Sequence, residues 1–425
     1  MKNSHNTTDV GGVFYAPVNQ AFEESTLVRN CFAFTDKQHV ISGIQRSLTM
    51  VASGRDWVQR MHIHLNIRIS SALFFATLKS KRRLAMTEQI AENIRQQTDA
   101  LFQGEHDRFK NFPELEKYAI YASDGHFHRA SAHEKPVSDE KQPVGHIFSL
   151  NLRSHSLVPL GLSIPQETKK KEHELATLKR IGAERLRMNE PRGIKVIHIY
   201  DRAIIDYNQW YKWKCSKGIY IITREKKNSA LTVIGENQWD QNDSRNNGIE
   251  SDQLVGPSNG HMMRRISYID PVSGKDYKFI TNVMNVPPGI IAFLYKSRWD
   301  IEKIFDELKN KMYERKAWGS SETAKMHQVA FIAMGHNLMR ILEHKIEVEE
   351  GIVDTKSAHK RKKRLEKDIK IATDADRKPN AIVMQWHRAT QRSFQFLRWL
   401  VGSLEAQTSW SDALELLQPL MTNYL

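Results

Sequence analysis

The spacing of hydrophobic and polar positions changes along this chain, and each change predicts a different kind of structure. Residues 1–112 carry apolar positions at helical spacing and few β-rich runs, which predicts a helical N-terminal region. From about residue 113 to 223, short apolar runs alternate with segments of helical pattern. Strands that alternate with helices predict an α/β layer built on a mixed sheet.

Two aspartates follow strands of this predicted layer. We predict strands over 118–122, 146–153, 157–164, 194–200 and 218–223, with helices over 167–188 and 204–215. Ser123-Asp124-Gly125 predicts a turn that ends the first strand, and Asp201 follows the fourth strand directly.

Residues 224–286 interrupt the alternation. Turns rich in Gly, Asn and Asp separate three short predicted strands, over 231–234, 264–269 and 277–283. We therefore predict a β-rich insertion within the α/β layer.

Helical patterns return after the insertion. Residues 287–347 are predicted to complete the layer with helices over 288–312 and 323–346. Residues 348–425 begin with a dense basic run at 359–364 and continue with a helical stretch over 381–417 that includes Trp386. We predict a basic linker and a helical C-terminal region there, with dimerisation as one role; the basic run fits a solvated linker and DNA contact about equally well.

The helix predicted over 288–312 has three faces rather than the usual two. Tyr295, Arg298, Glu302 and Lys309 project from one stripe about 60° wide, given the 100° turn per residue of an α-helix. Apolar residues form a separate stripe beside it, and solvent-type residues fill the remainder. Reactive side chains at the edge of a buried face predict one wall of a cleft.

Charge and cysteine content narrow the class of protein. The 425 residues carry a formal net charge of +14, which suits a polyanionic partner, although a merely soluble basic protein is the alternative. The two cysteines cannot form a disulfide framework, so a reducing compartment is expected. No apolar stretch is long enough to span a membrane, and the first residues lack a signal-peptide core, so we expect a cytoplasmic protein without a membrane partner.

The carboxylates indicate metal-dependent chemistry. Sites of open α/β sheets lie beyond the carboxyl ends of strands, so Asp124 and Asp201 would meet there if their strands are neighbours, and Glu302 could join them. Three carboxylates repel one another unless cations neutralise them, and oxygen ligands of this kind suit Mg²⁺ or Mn²⁺. Taken singly, a strand-end aspartate is more often a turn former and a helical glutamate more often solvated. Only the agreement of three placements favours a metal site.

The stripe motif also resembles a known signature. The pattern Y-x2-R-x3-E-x6-K, which begins at Tyr295, is similar to the Y-R-E-K signature of bacterial insertion-sequence transposases of the DDE class, in the insertion-sequence-four family. Asp124-Gly125 and Asp201-Arg202, each after a predicted strand, resemble the contexts of the family's two aspartates. The resemblance extends over about residues 115–345.

This resemblance implies a fold and a reaction. The fold is a ribonuclease-H-like catalytic core, formed by 113–223 and 287–347 around the insertion, with a DNA-binding N-terminal region. The reaction is Mg²⁺-dependent cut-and-paste transposition of an insertion sequence, by nicking at its ends and strand transfer of the freed 3′-hydroxyl into target DNA. Some family members form a hairpin on the transposon end. Asp124, Asp201 and Glu302 would be the catalytic residues and hold two Mg²⁺ ions, for which Mn²⁺ would substitute.

Other residues of the stripe would contact DNA. Tyr295, Arg298 and Lys309 are expected at phosphates near the scissile bond, where a guanidinium makes forked contacts and an ammonium acts as a point charge. An ion pair between Arg298 and Glu302, four residues apart on a helix, is the structural alternative.

Aromatic and basic neighbours complete the predicted DNA-binding set. Family members hold a flipped base with an aromatic residue of the insertion, and Trp239 is the single tryptophan there; ordinary packing is the alternative. Trp299 could pack beside the stripe instead, and Arg202 directly follows the second aspartate. The pair His126 and His128 could bind zinc, but the sequence offers no further ligand nearby.

The expected partners are double-stranded DNA, as terminal inverted repeats and as target, and a second copy of the chain in a synaptic homodimer. The expected place is the bacterial cytoplasm, at the nucleoid. Two other functions stay open. One is a ribonuclease-H-like nuclease that cuts without joining. The other is an inactive DNA-binding relic of a transposase, which the intact acidic trio disfavours.

Overall fold

The computed structural model describes residues 8–49, 51, 53–136, 140–163, 172–257, 260–312, 315–382 and 391–422. Its helices are α1 (Val10–Phe14), α2 (Ala16–Glu23), α3 (Asp36–Leu48), α4 (Gly54–His64), α5 (Ser71–Thr77), α6 (Lys81–Leu101), α7 (Glu174–Leu186), α8 (Tyr207–Lys217), α9 (Pro288–Ser297), α10 (Trp299–Asn310), α11 (Glu322–His344), α12 (Thr355–Asp374), α13 (Phe394–Glu405) and α14 (Trp410–Thr422). Its strands are β1 (Tyr118–His128), β2 (Val144–Asn151), β3 (Leu157–Ser163), β4 (Lys195–Ile199), β5 (Ile219–Arg224), β6 (Thr232–Glu236), β7 (Ile249–Gly256), β8 (Met263–Ile269) and β9 (Asp276–Thr281). Within these ranges, no helix is long and apolar enough to cross a membrane.

All nine strands form one mixed sheet, in the order β3-β2-β1-β4-β5-β9-β8-β7-β6. The pairs β1–β4 and β4–β5 are parallel, and the other pairs are antiparallel. The predicted α/β class with a mixed sheet and flanking helices is confirmed, and the architecture is consistent with a ribonuclease-H-like core.

The insertion predicted over 224–286 is rich in strands, but it extends the sheet rather than standing apart. Strand β9 pairs with β5, and β8, β7 and β6 follow outward by antiparallel pairing. The sequence pattern does not predict strand β7, because polar residues such as Asp252 weaken its apolar periodicity. Asp252 is buried through an ion pair with Arg264 on β8, whose guanidinium also donates to the carbonyl of Val286 at 2.6 Å. This pair ties the insertion to the loop before α9.

Side chains alternate between the two faces of the sheet, as the period of two in a strand requires. Ile120, Ala122 and Ile199 belong to a large core that also contains residues of α3, α6, α9, α10 and α11. Ala119 and Tyr121 point the other way, into a second core beneath α7 and α8.

The N-terminal and C-terminal helices share the large core. Helices α3 and α6 pack along α11, and α14 contributes Ala413 and Leu417. The helical character predicted for 1–112 is thereby confirmed, whereas the domain boundaries stay predictions.

Three predicted elements are corrected. Strand β1 continues through the predicted turn at Ser123-Asp124-Gly125 as far as His128, because β2 pairs with it along that whole length. The single helix predicted over 288–312 is two helices, α9 and α10, that meet at Arg298. The basic run at 359–364, predicted within a linker, lies inside helix α12. Two further predictions, Trp386 and the start of the helix over 167–188, lie outside the described residues.

Candidate active site

Parallel pairing of β1 with β4 brings the two predicted aspartates to one edge of the sheet. Ala122 lies opposite Ile199 in this ladder, and each stands two residues before an aspartate. Asp124 lies within β1, on the face of the large core. Asp201 follows β4 and caps a short 3₁₀ turn, where its Oδ1 accepts from the amide of Ala203 at 2.7 Å.

Helix α10 covers this face and presents Glu302 to the same edge. The ring of Phe305, one turn beyond Glu302, lies 4.8 Å from the ring of His126 on β1 and 5.9 Å from Phe148 on β2. These aromatic contacts fix the helix against the strand that carries Asp124.

The guanidinium of Arg298 joins two of the three carboxylates. Its Nη1 donates to Oδ2 of Asp124 at 2.9 Å, and its Nη2 donates to Oε1 of Glu302 at 2.5 Å. The Arg298 side chain is only 7% exposed, so this double contact is largely screened from water. The ion pair of Arg298 with Glu302, considered above as a structural alternative, is therefore present, and it is shared with Asp124.

The pKa of Asp124 reflects both its burial and the charged groups around it. Burial raises the pKa of Asp124 above its ordinary value; the charge of Arg298 and the amide of Gly125 oppose this, while the charges of Asp201 and Glu302 raise the pKa further. Because neighbouring carboxylates repel one another, a cation close to them would stabilise their charged forms.

The three side chains fit a hard divalent metal, since all their potential ligand atoms are carboxylate oxygens. The arrangement differs from a metal site, because the Arg298 guanidinium stands between Asp124 and Glu302. Within the described ranges, no group of three or more His, Cys, Asp or Glu side chains is placed to hold a metal ion. Binding of a metal by these residues thus requires the guanidinium to leave them.

Tyr295 lies at the site but is mostly a core residue. It is 7% exposed, and its ring centroid is 5.0 Å from that of Phe279 on β9. Burial raises the pKa of its phenol, the charges of Arg298 and Arg224 lower it, and the charge of Asp201 raises it again. Arg224, at the end of β5, is a neighbour of this site that the sequence analysis does not identify. Its position as a basic residue at the end of the strand after β4 is the feature that could have indicated it.

The other residues predicted to bind DNA differ in their exposure and in their position relative to the carboxylates. Trp299 is 54% exposed beside Arg298, whose guanidinium carbon lies 5.7 Å from its ring, and Arg202 is half-buried in the turn after Asp201. Lys309 is exposed in the last turn of α10, and Trp239 is half-buried in the loop after β6. No hydrogen bond or ion pair joins either of these two to the carboxylates in the part of the chain that the structure describes.

The histidine pair lies in a packed aromatic cluster. His126 and His128 are buried on β1, and His146 stands opposite His126 on β2. The rings of His128 and His146 stack at 5.2 Å, and His126 packs on Phe305. This cluster packs between the sheet and α10.

Parts of this sequence are similar to a known protein family and to a known protein. Residues 150–338 match the family model of the transposase DDE domain, a range that includes Asp201 and Glu302 and begins after Asp124. The chain is also 26% identical over 149 residues to a protein of Sinorhizobium fredii (strain NBRC 101917 / NGR234) named "Putative transposase y4zB". That match covers 34% of this chain and 42% of the relative, so the chain spans less than half the length of the curated relative. Over these ranges the chain is similar to the DDE domain of transposases.

Proposed function

We propose that this chain is a DDE transposase of the insertion-sequence-four type that moves its element by cut-and-paste transposition. The observation that carries the proposal is geometric: parallel pairing of β1 with β4 brings Asp124 and Asp201 to one edge of the sheet, and Arg298 contacts both Asp124 and Glu302. The match of residues 150–338 to the transposase DDE domain supports the same function.

Asp124, Asp201 and Glu302 are proposed as the catalytic residues. They would hold two Mg²⁺ ions, or Mn²⁺ in their place, which when bound activate a hydroxyl nucleophile and stabilise the leaving oxygen of a phosphodiester. Each aspartate is fixed by the backbone: Asp124 by its place in β1 and Asp201 by the cap it forms on its turn. Glu302 is set by the packing of α10, so the three approach one phosphodiester from three elements.

The residues around the trio are proposed to grip DNA. Arg298 is positioned to exchange its carboxylate partners for a phosphate, whose two oxygens suit its fork. Lys309 and Arg202 would add point contacts along the backbone, and Tyr295 would hold Arg298 in place. The exposed ring of Trp299 is available for stacking on a base, as is Trp239 on the sheet extension.

The wider proposal follows from this chemistry. The substrates would be the terminal inverted repeats of an insertion sequence and a target duplex, and synapsis of two ends would use a homodimer in the bacterial cytoplasm, at the nucleoid. End nicking and strand transfer by the freed 3′-hydroxyl are the proposed steps; a hairpin on the transposon end, formed by some members of the family, is one route to double-strand release and stays open.

The test uses the purified full chain, Mg²⁺ and linear DNA that carries the inverted repeats flanking its reading frame. We expect end cleavage by the parent and a loss of more than about 100-fold in Glu302→Gln, because changes to groups beyond the metal ligands alone cost about 10–100-fold. Gln keeps an oxygen for Arg298, so circular dichroism should show an unchanged fold. Asp306→Asn, an exposed change on the same helix, should cleave like the parent.

Two outcomes separate the alternatives. Equal behaviour of the parent and Glu302→Gln, with no end cleavage by either, would refute the active enzyme and favour the inactive relic. Cleavage without joined products that carry a short target duplication would indicate a nuclease.

A further inference from the structure

The exposed face of α12 carries a regular row of lysines. Lys356, Lys360, Lys363, Lys367 and Lys370 recur at alternating steps of four and three residues. At 100° per residue they lie within about 80° of one another around the helix, and at 1.5 Å per residue they extend over about 21 Å. We call these five residues the lysine stripe.

The opposite side of α12 is already used by the protein. Leu365 and Ile369 are half-buried and Ala372 is fully buried, and the helix packs against α14. These apolar residues lie about 160–220° from Lys356 around the helix, directly opposite the stripe. Docking of this side leaves Lys360, Lys363, Lys367 and Lys370 exposed to solvent, while Lys356 at the start of the helix is half-buried.

Positive charge outweighs negative charge along the stripe. Lys360, Lys363, Lys367 and Lys370 are exposed, and no ion pair joins any of these four to a carboxylate of the described residues. Of the three acids of this helix, Glu366 and Asp368 lie to either side of the stripe, and Asp374 lies at its C-terminal end, four residues after Lys370. Like charges three and four residues apart destabilise a helix, and a polyanion would relieve that repulsion.

We propose that the lysine stripe is a contact surface for the phosphate backbone of duplex DNA, outside the catalytic site. This inference rests on the proposed function, which supplies DNA as the partner. Along the duplex axis, about 21 Å spans roughly six base pairs at 3.4 Å per phosphate of one strand, so the row matches a short stretch of duplex. Flexible ammonium groups suit such sequence-independent contacts. An anionic membrane is a poorer partner, because the apolar face that would enter the lipid is packed against α14.

The test is the salt dependence of DNA binding, which needs neither metal nor the element's own sequence. Fluorescence anisotropy with a labelled 40-bp duplex of arbitrary sequence, in EDTA and increasing KCl, gives the slope of log K against log[KCl]. Each lost phosphate contact should reduce the size of that slope by about 0.9. We expect a reduction of about 1.8 for Lys363→Gln with Lys367→Gln, and about 3.6 when Lys360→Gln and Lys370→Gln are added.

A matched control removes the same charge elsewhere. Lys117 and Arg192 are exposed and precede β1 and β4, at the edge of the sheet opposite the carboxylates. The double variant Lys117→Gln with Arg192→Gln should keep the parent slope. Glutamine is nearly as good a helix former as lysine, so circular dichroism should show α12 retained in the stripe variants.

Each other outcome overturns the proposal. An unchanged slope in the stripe variants, or the same change in the control, would remove the stripe as a DNA surface. Loss of binding to phosphatidylserine vesicles by the stripe variants, with an unchanged DNA slope, would also remove the stripe as a DNA surface. If the parent still cleaves element ends in any of these cases, only the stripe is refuted; if the parent neither binds nor cleaves DNA, the proposed function fails with it.

Discussion

At the residue scale, one guanidinium organises the candidate site. Arg298 is held at the junction of α9 and α10 and contacts Asp124 on β1 as well as Glu302 on its own helix. Its positive charge thereby stabilises the negative charges of Asp124 and Glu302. The same side chain blocks the approach of a metal ion to two of its proposed ligands.

Replacement of Arg298 by glutamine should strengthen metal binding while it weakens DNA processing. Without the guanidinium, the repulsion among the carboxylates is uncompensated, and charges about 4 Å apart near a protein surface interact by about 1–4 kcal/mol. We expect the Kd for Mn²⁺ to fall by about tenfold, which corresponds to about 1.4 kcal/mol, as measured by isothermal titration calorimetry.

Its control is Arg180→Gln, which removes a guanidinium paired with Glu172 away from the trio. Weaker or unchanged Mn²⁺ binding in Arg298→Gln would show that Arg298 does not compete with the metal for these carboxylates.

At the element scale, the sheet extension positions the helix that leads into the site. The first turn of α9 lies against the turn formed by Ser244–Asn246, where the amide of Gly289 donates to Oδ1 of Asn246 at 3.0 Å. A Cβ added at Gly289 would lie 1.9 Å from the carbonyl oxygen of Arg245. Since that neighbour is backbone, it cannot yield as a flexible side chain would.

Gly289→Ala should therefore destabilise the protein by about 1–3 kcal/mol, in the range of overpacking changes. Urea unfolding measures the difference. Gly402→Ala is the matched control, because Gly402 is exposed on α13 with open space around it. It should stabilise the protein by about 0.5–1 kcal/mol, as alanine does in a helix. Equal stability of Gly289→Ala and the parent would contradict the close docking of α9.

At the scale of the whole molecule, one buried charge cluster ties the C-terminal region to the helix that carries Glu302. Arg392 is 7% exposed and donates to Glu307 of α10 at 2.8 Å and to Glu343 of α11 at 2.6 Å. Burial works against the charged form of Arg392, but the two carboxylates outweigh it and raise the pKa of the guanidinium. These ion pairs fix the start of the C-terminal helical segment to α10 and α11.

Arg392→Ala should lower the free energy of unfolding by about 3–5 kcal/mol, because it leaves the buried Glu307 without its partner. Chemical denaturation followed by tryptophan fluorescence and by circular dichroism measures the loss. Arg398→Ala, an exposed change on α13, should stay within about 1 kcal/mol of the parent. A loss in Arg392→Ala no larger than in the control would mean that the C-terminal region contributes little to the fold.

The sequence by itself determined the local structure and the chemistry of the candidate residues. The α/β alternation and the aspartate that follows β4 could be predicted, because periodicity and turn residues act over a few neighbours. The motif resemblance added what periodicity cannot supply, the expected reaction. The roles of the individual site residues stay predictions.

Only the tertiary structure decided how these elements meet. Strand β1 runs past Asp124 because β2 pairs with it, and β7 forms because Arg264 satisfies its buried Asp252. The basic run became a helix with an ordered lysine stripe because α14 covers its apolar side. Arg298 came to lie between Asp124 and Glu302 because Phe305 docks α10 on the sheet. Each of these outcomes depends on partners distant in the chain, whose contacts no local pattern encodes.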